Sequence, residues 1–476
     1  MVTGRGRVVV IGAGIGGLVA AALLAARGRQ VMVLERAATS GGKVRTVRVG
    51  DAEIEAGPAL LTMRDVFDAV FDAAGTTLDA HVTLRRQGVL ARHVFADGSR
   101  LHLPAEGAAD AVGRFAGGEV ARGYRAYADR ARRVFEALEG PMLRSAQPSR
   151  LGLAAAAPAL GRLPFVTLWD ALGEYFPDPR LRGVFARAAV YVGSSPLQAP
   201  ATLMLVSHIE RLGAWSVEGG MGRLIAALEW LARAKGAEVR HGAEVREVIV
   251  ESGRAVGVRL ADGEAVAAGA VIVNADAASL PAGRLGAVAA RAVEAVPAAR
   301  RSFSAVTWAV RGRVSGEVAA QTVFHPSDPT AEYAEIAYRG RLPRNPAVTL
   351  WAQGGDRLLV SVNAPARADV APIPAEAVDA LDTTVFGGMR GAGLEIERDG
   401  QDVTTPDAFE RMFPGTGGAL YGPAAQGWQA AFNRPGARTR LPGLYLAGGG
   451  THPGAGMAMA ALSGRFAAAR VIEDRA

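Results

Sequence analysis

The 476-residue chain contains no cysteine and almost no lysine. Without cysteine it cannot form disulfides, thiolate metal sites, cysteine-held iron–sulfur clusters or a cysteine nucleophile. Only Lys43 and Lys235 are lysines among 53 basic residues, and the formal net charge is +7. A nucleic-acid partner would require clustered charge on a matching fold motif, and neither is present, so we expect none. Attraction to an anionic membrane surface stays open.

The chain also lacks a convincing membrane-spanning run. The stretch Val8–Ala26 is uncharged and has the length of a spanning helix or a signal peptide. It contains four glycines, however, and its pattern changes halfway from a buried strand to a helix. The uncharged runs Ala188–Ile209 and Leu441–Gly464 are interrupted by glycine and proline, or by a dense glycine loop. None of the three predicts a continuous apolar helix.

Several catalytic patterns are absent as well. There is no ordered Ser/His/Asp set, no HExxH, no Walker loop and no histidine cluster with metal-ligand spacing. Half of the residues are apolar, which is typical of a globular protein with a large core.

A glycine-rich motif near the start carries the first positive signal. Gly12-Ala13-Gly14-Ile15-Gly16-Gly17 follows a predicted strand, Arg7–Ile11, and opens a predicted helix, Ile15–Arg27. Such a turn lets the backbone approach a pyrophosphate, which the helix N-terminus favours electrostatically. Glu35 ends the next predicted strand, where an acid binds ribose hydroxyls and disfavours a 2′-phosphate. The pattern predicts dinucleotide binding over a merely structural glycine turn, but it does not separate FAD from NAD.

Two further glycine loops bear on the cofactor. Gly41-Gly42-Lys43, followed by Arg45, predicts a second phosphate-contacting loop; a loop with solvated charges is the alternative. Gly448–Gly456 lies between a predicted strand, Gly443–Ala447, and a predicted helix, Met457–Glu473. The N-terminus of that helix would stabilise a reduced, anionic flavin ring. His452 in this loop is a weak candidate acid/base, and a structural hydrogen bond is its commoner role.

The middle of the chain is less specific. Residues 106–213 read as mostly helical, and residues 300–365 as antiparallel strands. Arginines between Arg122 and Arg133 are interleaved with apolar residues at helical spacing. Two interpretations remain: a solvated helix face over a core, which we favour, and a peripheral membrane contact.

Four stretches together resemble the carotenoid (phytoene) desaturase family of FAD-dependent oxidoreductases, within the flavin amine oxidase superfamily. They are Leu34–Lys43, Glu55–Thr62, Val217–Met221 and Gly450–Gly456. Many family members have aspartate where this chain has Glu55. Three shorter stretches resemble the bacterial 1-hydroxycarotenoid 3,4-desaturases within that family: Leu61–Phe67, Leu90–His93 and Tyr191–Pro196.

The resemblance implies an α/β fold with a doubly wound, Rossmann-type FAD-binding domain, a discontinuous α+β substrate domain and a helical membrane-facing portion. We expect residues 1–100, 215–285 and 436–476 in the FAD-binding domain. Residues 101–214 would form the helical region, and residues 286–435 the substrate domain with its antiparallel sheet. FAD would be bound non-covalently. The residues expected to bind it are Gly12, Gly14, Ile15, Gly16, Gly17, Glu35, Arg36, Gly42, Lys43, Arg45, Pro58, Val245, Gly448, Gly449, Gly456 and Met457.

The implied activity is the introduction of a C-3,4 double bond into an acyclic 1-hydroxycarotenoid. A protein of this kind would be cytoplasmic and peripherally associated with the inner membrane, with a quinone or oxygen as electron acceptor. A hydrophobic tunnel with one polar group that binds the substrate hydroxyl would explain selectivity for hydroxylated over unhydroxylated carotenoids. The alternatives are a phytoene-type desaturase, a carotenoid isomerase, an amine or porphyrinogen oxidase, and a non-enzymatic lipid carrier.

Overall fold

The structure is a computed structural model that describes residues 6–475. Its strands are β1 (Val8–Ile11), β2 (Val31–Leu34), β3 (Thr46–Val49), β4 (Ala52–Glu55), β5 (Leu61–Thr62), β6 (Leu84–Arg86), β7 (Val89–Phe95), β8 (Arg100–Pro104), β9 (Ala214–Val217), β10 (Glu238–Arg240), β11 (Val245–Glu251), β12 (Arg254–Leu260), β13 (Ala265–Ala267), β14 (Ala270–Val273), β15 (Ser304–Ser315), β16 (Gln321–His325), β17 (Val348–Ala352), β18 (Arg357–Ala364), β19 (Glu395–Thr404) and β20 (Leu444–Leu446).

The α-helices are α1 (Ile15–Ala25), α2 (Arg64–Ala73), α3 (Ala108–Ala116), α4 (Gly118–Leu138), α5 (Arg150–Leu160), α6 (Leu168–Leu172), α7 (Pro179–Val190), α8 (Leu205–Leu212), α9 (Gly222–Ala234), α10 (Pro329–Ala337), α11 (Ala375–Gly391), α12 (Pro406–Met412) and α13 (Met457–Glu473). Short 3₁₀ turns connect several of these elements, among them Trp428–Phe432, and a π-helical turn spans Glu139–Leu143.

A five-stranded parallel sheet forms the centre of the first lobe, in the order β10-β2-β1-β14-β20. Its strands β1, β2, β14 and β20 are buried along their whole length, as expected for a parallel sheet covered on both faces. One face packs against α1, α9 and α13, and the other against the antiparallel sheet β11-β12-β13. The predicted α/β, doubly wound arrangement is therefore present.

Glycine lets α1 lie close to its neighbours. A Cβ on Gly17 would overlap the carbonyl oxygen of Gly12, at the end of β1. A Cβ on Gly464 of α13 would overlap the carbonyl oxygen of Gly16. Because both contacts involve backbone atoms, neither position accommodates a side chain without moving a helix.

A seven-stranded sheet forms the second lobe, in the order β19-β15-β18-β17-β16-β7-β8. Its pairs are antiparallel except for the parallel pair β16–β7. Alternate residues of β15 face opposite sides: Val306, Trp308 and Val310 join the core beneath α11. The other side, which carries Ala305 and Thr307, faces the cavity described below.

The domain boundaries given by the sequence stay a prediction, and the structure differs from them at one place. The boundary at residue 100 assigns Val89–Phe95 to the FAD-binding domain. The structure instead pairs β7 with β16, inside the seven-stranded sheet. The predicted hairpin around Asp97-Gly98 is present, but its two strands extend the sheet of the second lobe. Local sequence identifies a hairpin and not the sheet that it joins.

The arginine-rich helix α4 has a solvated face over a core, the interpretation that we favoured. Its apolar residues, Tyr124, Tyr127, Val134, Phe135 and Leu138, are buried. Arg132 forms ion pairs with Asp129 and Glu136, and Arg125 forms one with Asp110. Within residues 6–475, none of the helices combines the length and apolarity that spanning a bilayer requires.

Candidate cofactor and substrate cavity

A cavity of about 500 Å³ opens beyond the carboxyl ends of β1, β2 and β14, within the size range of small-molecule sites. This is the position at which open parallel sheets bind ligands. All three glycine loops line it, and so do residues of β15, β17 and β18 from the second lobe. One cavity thus joins the predicted dinucleotide site to the seven-stranded sheet.

Fourteen of the sixteen residues predicted to bind the cofactor line this cavity. They are Gly12, Gly14, Ile15, Gly16, Glu35, Arg36, Gly42, Lys43, Pro58, Val245, Gly448, Gly449, Gly456 and Met457. The two that do not are Gly17, which lies against Gly12, and Arg45. The Arg45 guanidinium donates a hydrogen bond to Thr404 Oγ1 at 2.9 Å and lies over the Phe409 ring. The predicted cofactor contacts of Gly17 and Arg45 stay predictions. Here Gly17 packs α1 against the end of β1, and Arg45 joins the two lobes.

The first glycine loop is shaped by close backbone approach. Gly12 has φ +99°, a conformation that favours glycine, and its N–H donates to Leu34 O at 2.8 Å. A Cβ on Gly14 would lie 2.9 Å from Asn274 Nδ2, and one on Gly16 would lie 2.7 Å from Asn274 Oδ1. The loop therefore exposes backbone N–H groups at the start of α1 without side chains in the way.

Glu35 is buried, and its carboxylate is held by the backbone. Oε2 accepts a hydrogen bond from Ala13 N at 2.7 Å, and Oε1 accepts one from Ala37 N at 2.8 Å. A carboxylate has about four acceptor positions, so two remain for hydroxyl donors from the cavity. Because both ends are fixed, the carboxylate is already oriented before a ligand binds.

The second glycine loop is anchored on the first. Gly41 N donates to Ala13 O at 2.9 Å, and the Lys43 ammonium donates to Leu420 O at 2.6 Å. Lys43 also lies 3.6 Å from the Asp276 carboxylate. Burial lowers the pKa of Lys43, and Asp276 partly opposes that change. Arg36 donates to the carbonyl oxygen of Met412, which ties the same edge of the cavity to the second lobe.

The third glycine loop is held by an arginine that sequence reasoning missed. Arg434 donates to Tyr421 O at 2.8 Å, Gly449 O at 2.9 Å and Pro423 O at 2.7 Å. Burial lowers its pKa to about 10. Its guanidinium thus crosslinks the loop before α13 to residues 421–423, which fixes the position of the helix N-terminus at the cavity.

The structure does not support His452 as the acid/base. Its ring is buried outside the cavity lining, and Nε2 lies 2.8 Å from Ser145 O. Desolvation lowers the pKa of His452. His452 is the structural hydrogen-bonder that a lone histidine in a loop more often is.

Several buried polar atoms on the cavity wall have no hydrogen-bond partner among residues 6–475. They are Asn274 Oδ1, Ser279 Oγ, Ser304 Oγ and Thr307 Oγ1. Buried polar groups are normally satisfied, so this set fits a polar ligand. Asn274 and Asp276 directly follow β14, and the rule that ligands bind at the carboxyl ends of parallel strands would have identified them. The serines and Thr307 follow no local pattern and become visible only in the folded chain.

These features define the class of protein: a flavin-type dinucleotide oxidoreductase fold with a substrate lobe facing its cofactor cavity. The family model for flavin-containing amine oxidoreductases matches residues 15–472, and the chain belongs to that family. This membership confirms the predicted cofactor, FAD. The glycine cradles, the buried Glu35 and the unpartnered polar atoms are consistent with it.

Comparison with individual proteins gives a narrower likeness. The chain is 45% identical to a hydroxyneurosporene desaturase of Rubrivivax gelatinosus, over 97% of this chain and 92% of that protein. It is 40% identical to the hydroxyneurosporene desaturase of Cereibacter sphaeroides, over 99% and 98% of the two chains. An oxidoreductase of known structure from Methanosarcina mazei is 17% identical and covers 98% of this chain and 100% of its own, with a TM-score of 0.62. At that identity the structural likeness shows the fold alone.

Proposed function

We propose that the protein is an FAD-dependent desaturase that introduces the C-3,4 double bond into an acyclic 1-hydroxycarotenoid. The observation that carries this proposal is the single cavity, in which the three glycine loops face the polar side of the seven-stranded sheet. The near full-length identity to two hydroxyneurosporene desaturases supports the substrate class.

The cofactor residues divide by chemistry. Gly12, Gly14, Ile15 and Gly16 would present backbone N–H groups to the pyrophosphate, and Glu35 would accept from the ribose hydroxyls. Arg36, Gly42, Lys43, Pro58 and Val245 would surround the remaining dinucleotide. Gly448, Gly449, Gly456 and Met457 would place the N-terminus of α13 at the flavin.

FAD bound in this cavity would supply the hydride-accepting chemistry that the oxidation needs. The chain's own part is to orient the polyene and to shield the reacting carbons from bulk water. Apolar surface from Trp351, Leu359 and Met457 lines the cavity beside its polar atoms. No single side chain is assigned as the general base, because delocalisation over the polyene makes a weak base or water sufficient.

The test of the activity is anaerobic mixing of the FAD-loaded protein with a 1-hydroxycarotenoid in liposomes. Flavin bleaching with a product two hydrogens lighter supports the desaturase. A product of unchanged mass supports an isomerase, and bound carotenoid with neither change supports a carrier. Adding a quinone or oxygen to the bleached enzyme shows which of the two restores the flavin colour.

We further propose that the protein associates peripherally with the cytoplasmic face of the inner membrane, which holds the carotenoid. Helix α5 has no charge after Arg150 and exposes Leu151 at 85%. Phe165, 71% exposed, lies with its ring 6.2 Å from that of Trp428, which is 55% exposed. Exposed aromatic and aliphatic side chains next to arginine are typical of surfaces that enter the headgroup region.

The membrane proposal predicts that Leu151→Glu and Phe165→Glu together reduce binding to vesicles containing anionic lipid by at least tenfold in a flotation assay. Tyr338→Glu, at an aromatic residue that is 60% exposed outside this surface, is the control and should bind as the wild type does. Equal flotation of both variants would refute the assignment of this surface.

A further inference from the structure

A row of hydroxyl side chains crosses four neighbouring strands of the second lobe in one register. Thr404 of β19 pairs with Thr307 of β15, which pairs with Ser361 of β18, which pairs with Thr349 of β17. Paired residues of antiparallel strands lie on the same face with Cβ atoms about 4.5–5.5 Å apart. The row therefore forms a continuous polar stripe on the face of the sheet turned toward the cavity.

The two outer hydroxyls of this row each accept a hydrogen bond from an arginine, the partly buried Arg45 and the buried Arg187. Thr404 Oγ1 accepts a hydrogen bond from Arg45 at 2.9 Å, and Thr349 Oγ1 accepts one from Arg187 at 2.9 Å. Neither outer threonine lines the cavity. These two hydroxyls are therefore already hydrogen-bonded to protein side chains and do not face a ligand in the cavity.

The two inner hydroxyls are different. Thr307 and Ser361 line the cavity. Thr307 is 7% exposed, and its Oγ1 has no hydrogen-bond partner among residues 6–475. A buried hydroxyl without a partner is unfavourable, so a ligand atom that completes its hydrogen bond would be bound selectively.

The flanking residues limit what that ligand atom can be. Ala305 and Leu359, which also line the cavity, are apolar, and Thr307 and Ser361 are themselves neutral. Asn363, two residues beyond Ser361, has its amide nitrogen committed to Glu332 at 2.6 Å. A hydroxyl group on an otherwise apolar ligand therefore fits this part of the cavity wall better than a charged group does.

We infer that Thr307 and Ser361 bind the tertiary hydroxyl of the substrate and so set the preference for hydroxylated over unhydroxylated carotenoids. The inference rests on the proposed function. In that reaction the hydroxyl oxygen is attached to carbon 1, and carbon 1 is two bonds from carbon 3. The oxygen must therefore lie in the same cavity as the reacting carbons. A hydroxyl pair on the wall of the cofactor cavity meets this requirement, whereas a polar group at the far end of a tunnel would not.

The test compares the hydroxylated carotenoid with its unhydroxylated parent in liposomes, using FAD-loaded wild type, Thr307→Val and Thr307→Ser. Valine keeps the shape of threonine and removes the hydroxyl, while serine keeps the hydroxyl. The primary readout is the ratio of anaerobic flavin reduction rates for the two carotenoids. A second readout is the ratio of their Kd values for the dithionite-reduced enzyme, which cannot turn over, and the third is the Kd for FAD.

We expect Thr307→Val to lower both carotenoid ratios by at least tenfold, mainly through loss of the hydroxylated substrate, and Thr307→Ser to keep them within about twofold. Ser361→Ala removes the second hydroxyl and should lower the ratios in the same direction, which covers the case in which Thr307→Val does not fold. Wild-type ratios in both Thr307→Val and Ser361→Ala would overturn the inference and leave the desaturase intact.

Two other outcomes also overturn it. If Thr307→Val weakens FAD binding while the carotenoid ratios stay unchanged, the hydroxyl belongs to the cofactor site. If neither carotenoid reduces the flavin of the wild type, the proposed function fails, and the inference that rests on it fails as well.

Discussion

Replacing Glu35 by glutamine tests the cofactor site most directly, because the structure shows what the carboxylate already holds. Its two oxygens accept from Ala13 N at 2.7 Å and from Ala37 N at 2.8 Å. Glutamine offers only one oxygen, so its amide nitrogen must face one of the two backbone donors. The Ala13 N–H is buried and would keep the oxygen, so the donor that loses its partner is the N–H of the exposed Ala37. Water can replace that partner, so the free energy of unfolding of the FAD-free protein should fall by only about 1 kcal/mol.

The same change acts separately on FAD. Hydrogen bonds from ribose hydroxyls to a charged carboxylate contribute about 1.5–3 kcal/mol, and the amide replaces them only in part. We therefore expect the Kd for FAD to rise about 10- to 100-fold, measured by titration of flavin fluorescence. Urea unfolding of the FAD-free protein measures the first effect, so that the two contributions are resolved.

Glu238→Gln is the matched control, since Glu238 is exposed on β10, the strand next to Glu35 in the same sheet. It should leave the Kd for FAD within about twofold of the wild-type value, and the free energy of unfolding within about 0.5 kcal/mol. An unchanged Kd for FAD in Glu35→Gln would refute the assignment of Glu35 to the ribose.

Two further predictions concern stability. Gly464→Ala should lower the free energy of unfolding, measured by urea denaturation, by about 2 kcal/mol or more, because its Cβ would overlap a backbone oxygen. Gly388→Ala in α11 is the control: a Cβ there meets open space, so the change should be neutral or stabilising. Burial raises the pKa of Glu210 from 4.5 to about 7 in the folded protein. As pH rises between these values, the Glu210 carboxyl ionises in the unfolded chain but not in the folded one, so the free energy of unfolding falls. Glu210→Gln should therefore match the wild type near pH 4 and exceed it by up to about 3 kcal/mol at pH 8; equal stability at both pH values would contradict the assignment.

The glycine loops were predictable from sequence because their chemistry is local. A strand, a turn that requires glycine and a helix follow each other within a few residues of Gly12, and the same holds before Met457. Backbone geometry and the acid at Glu35 therefore point to dinucleotide binding without knowledge of the rest of the chain. Fourteen of the predicted cofactor residues line one cavity for this reason.

Residues that depend on long-range packing could not be found in the same way. Arg45 follows the second glycine loop, where a basic residue predicts a phosphate contact. In the folded chain its guanidinium instead donates a hydrogen bond to Thr404 of the second lobe. Arg434 crosslinks two distant loops, and nothing near it in sequence indicates this role. The strand β7 likewise joins a sheet whose other strands lie far along the chain.

The α/β class, the flavin-type cofactor site and the family could be predicted from the sequence, because each rests on short motifs whose physical requirements are met by neighbouring residues. The position at which the substrate lobe meets that site depends on the folded chain. Thr307 and Ser361 are ordinary strand residues until the pairing of β15 with β18 places their hydroxyls side by side on the cavity wall. Register and sheet order are set by the whole core, so a polar spot built across strands is invisible to any local pattern.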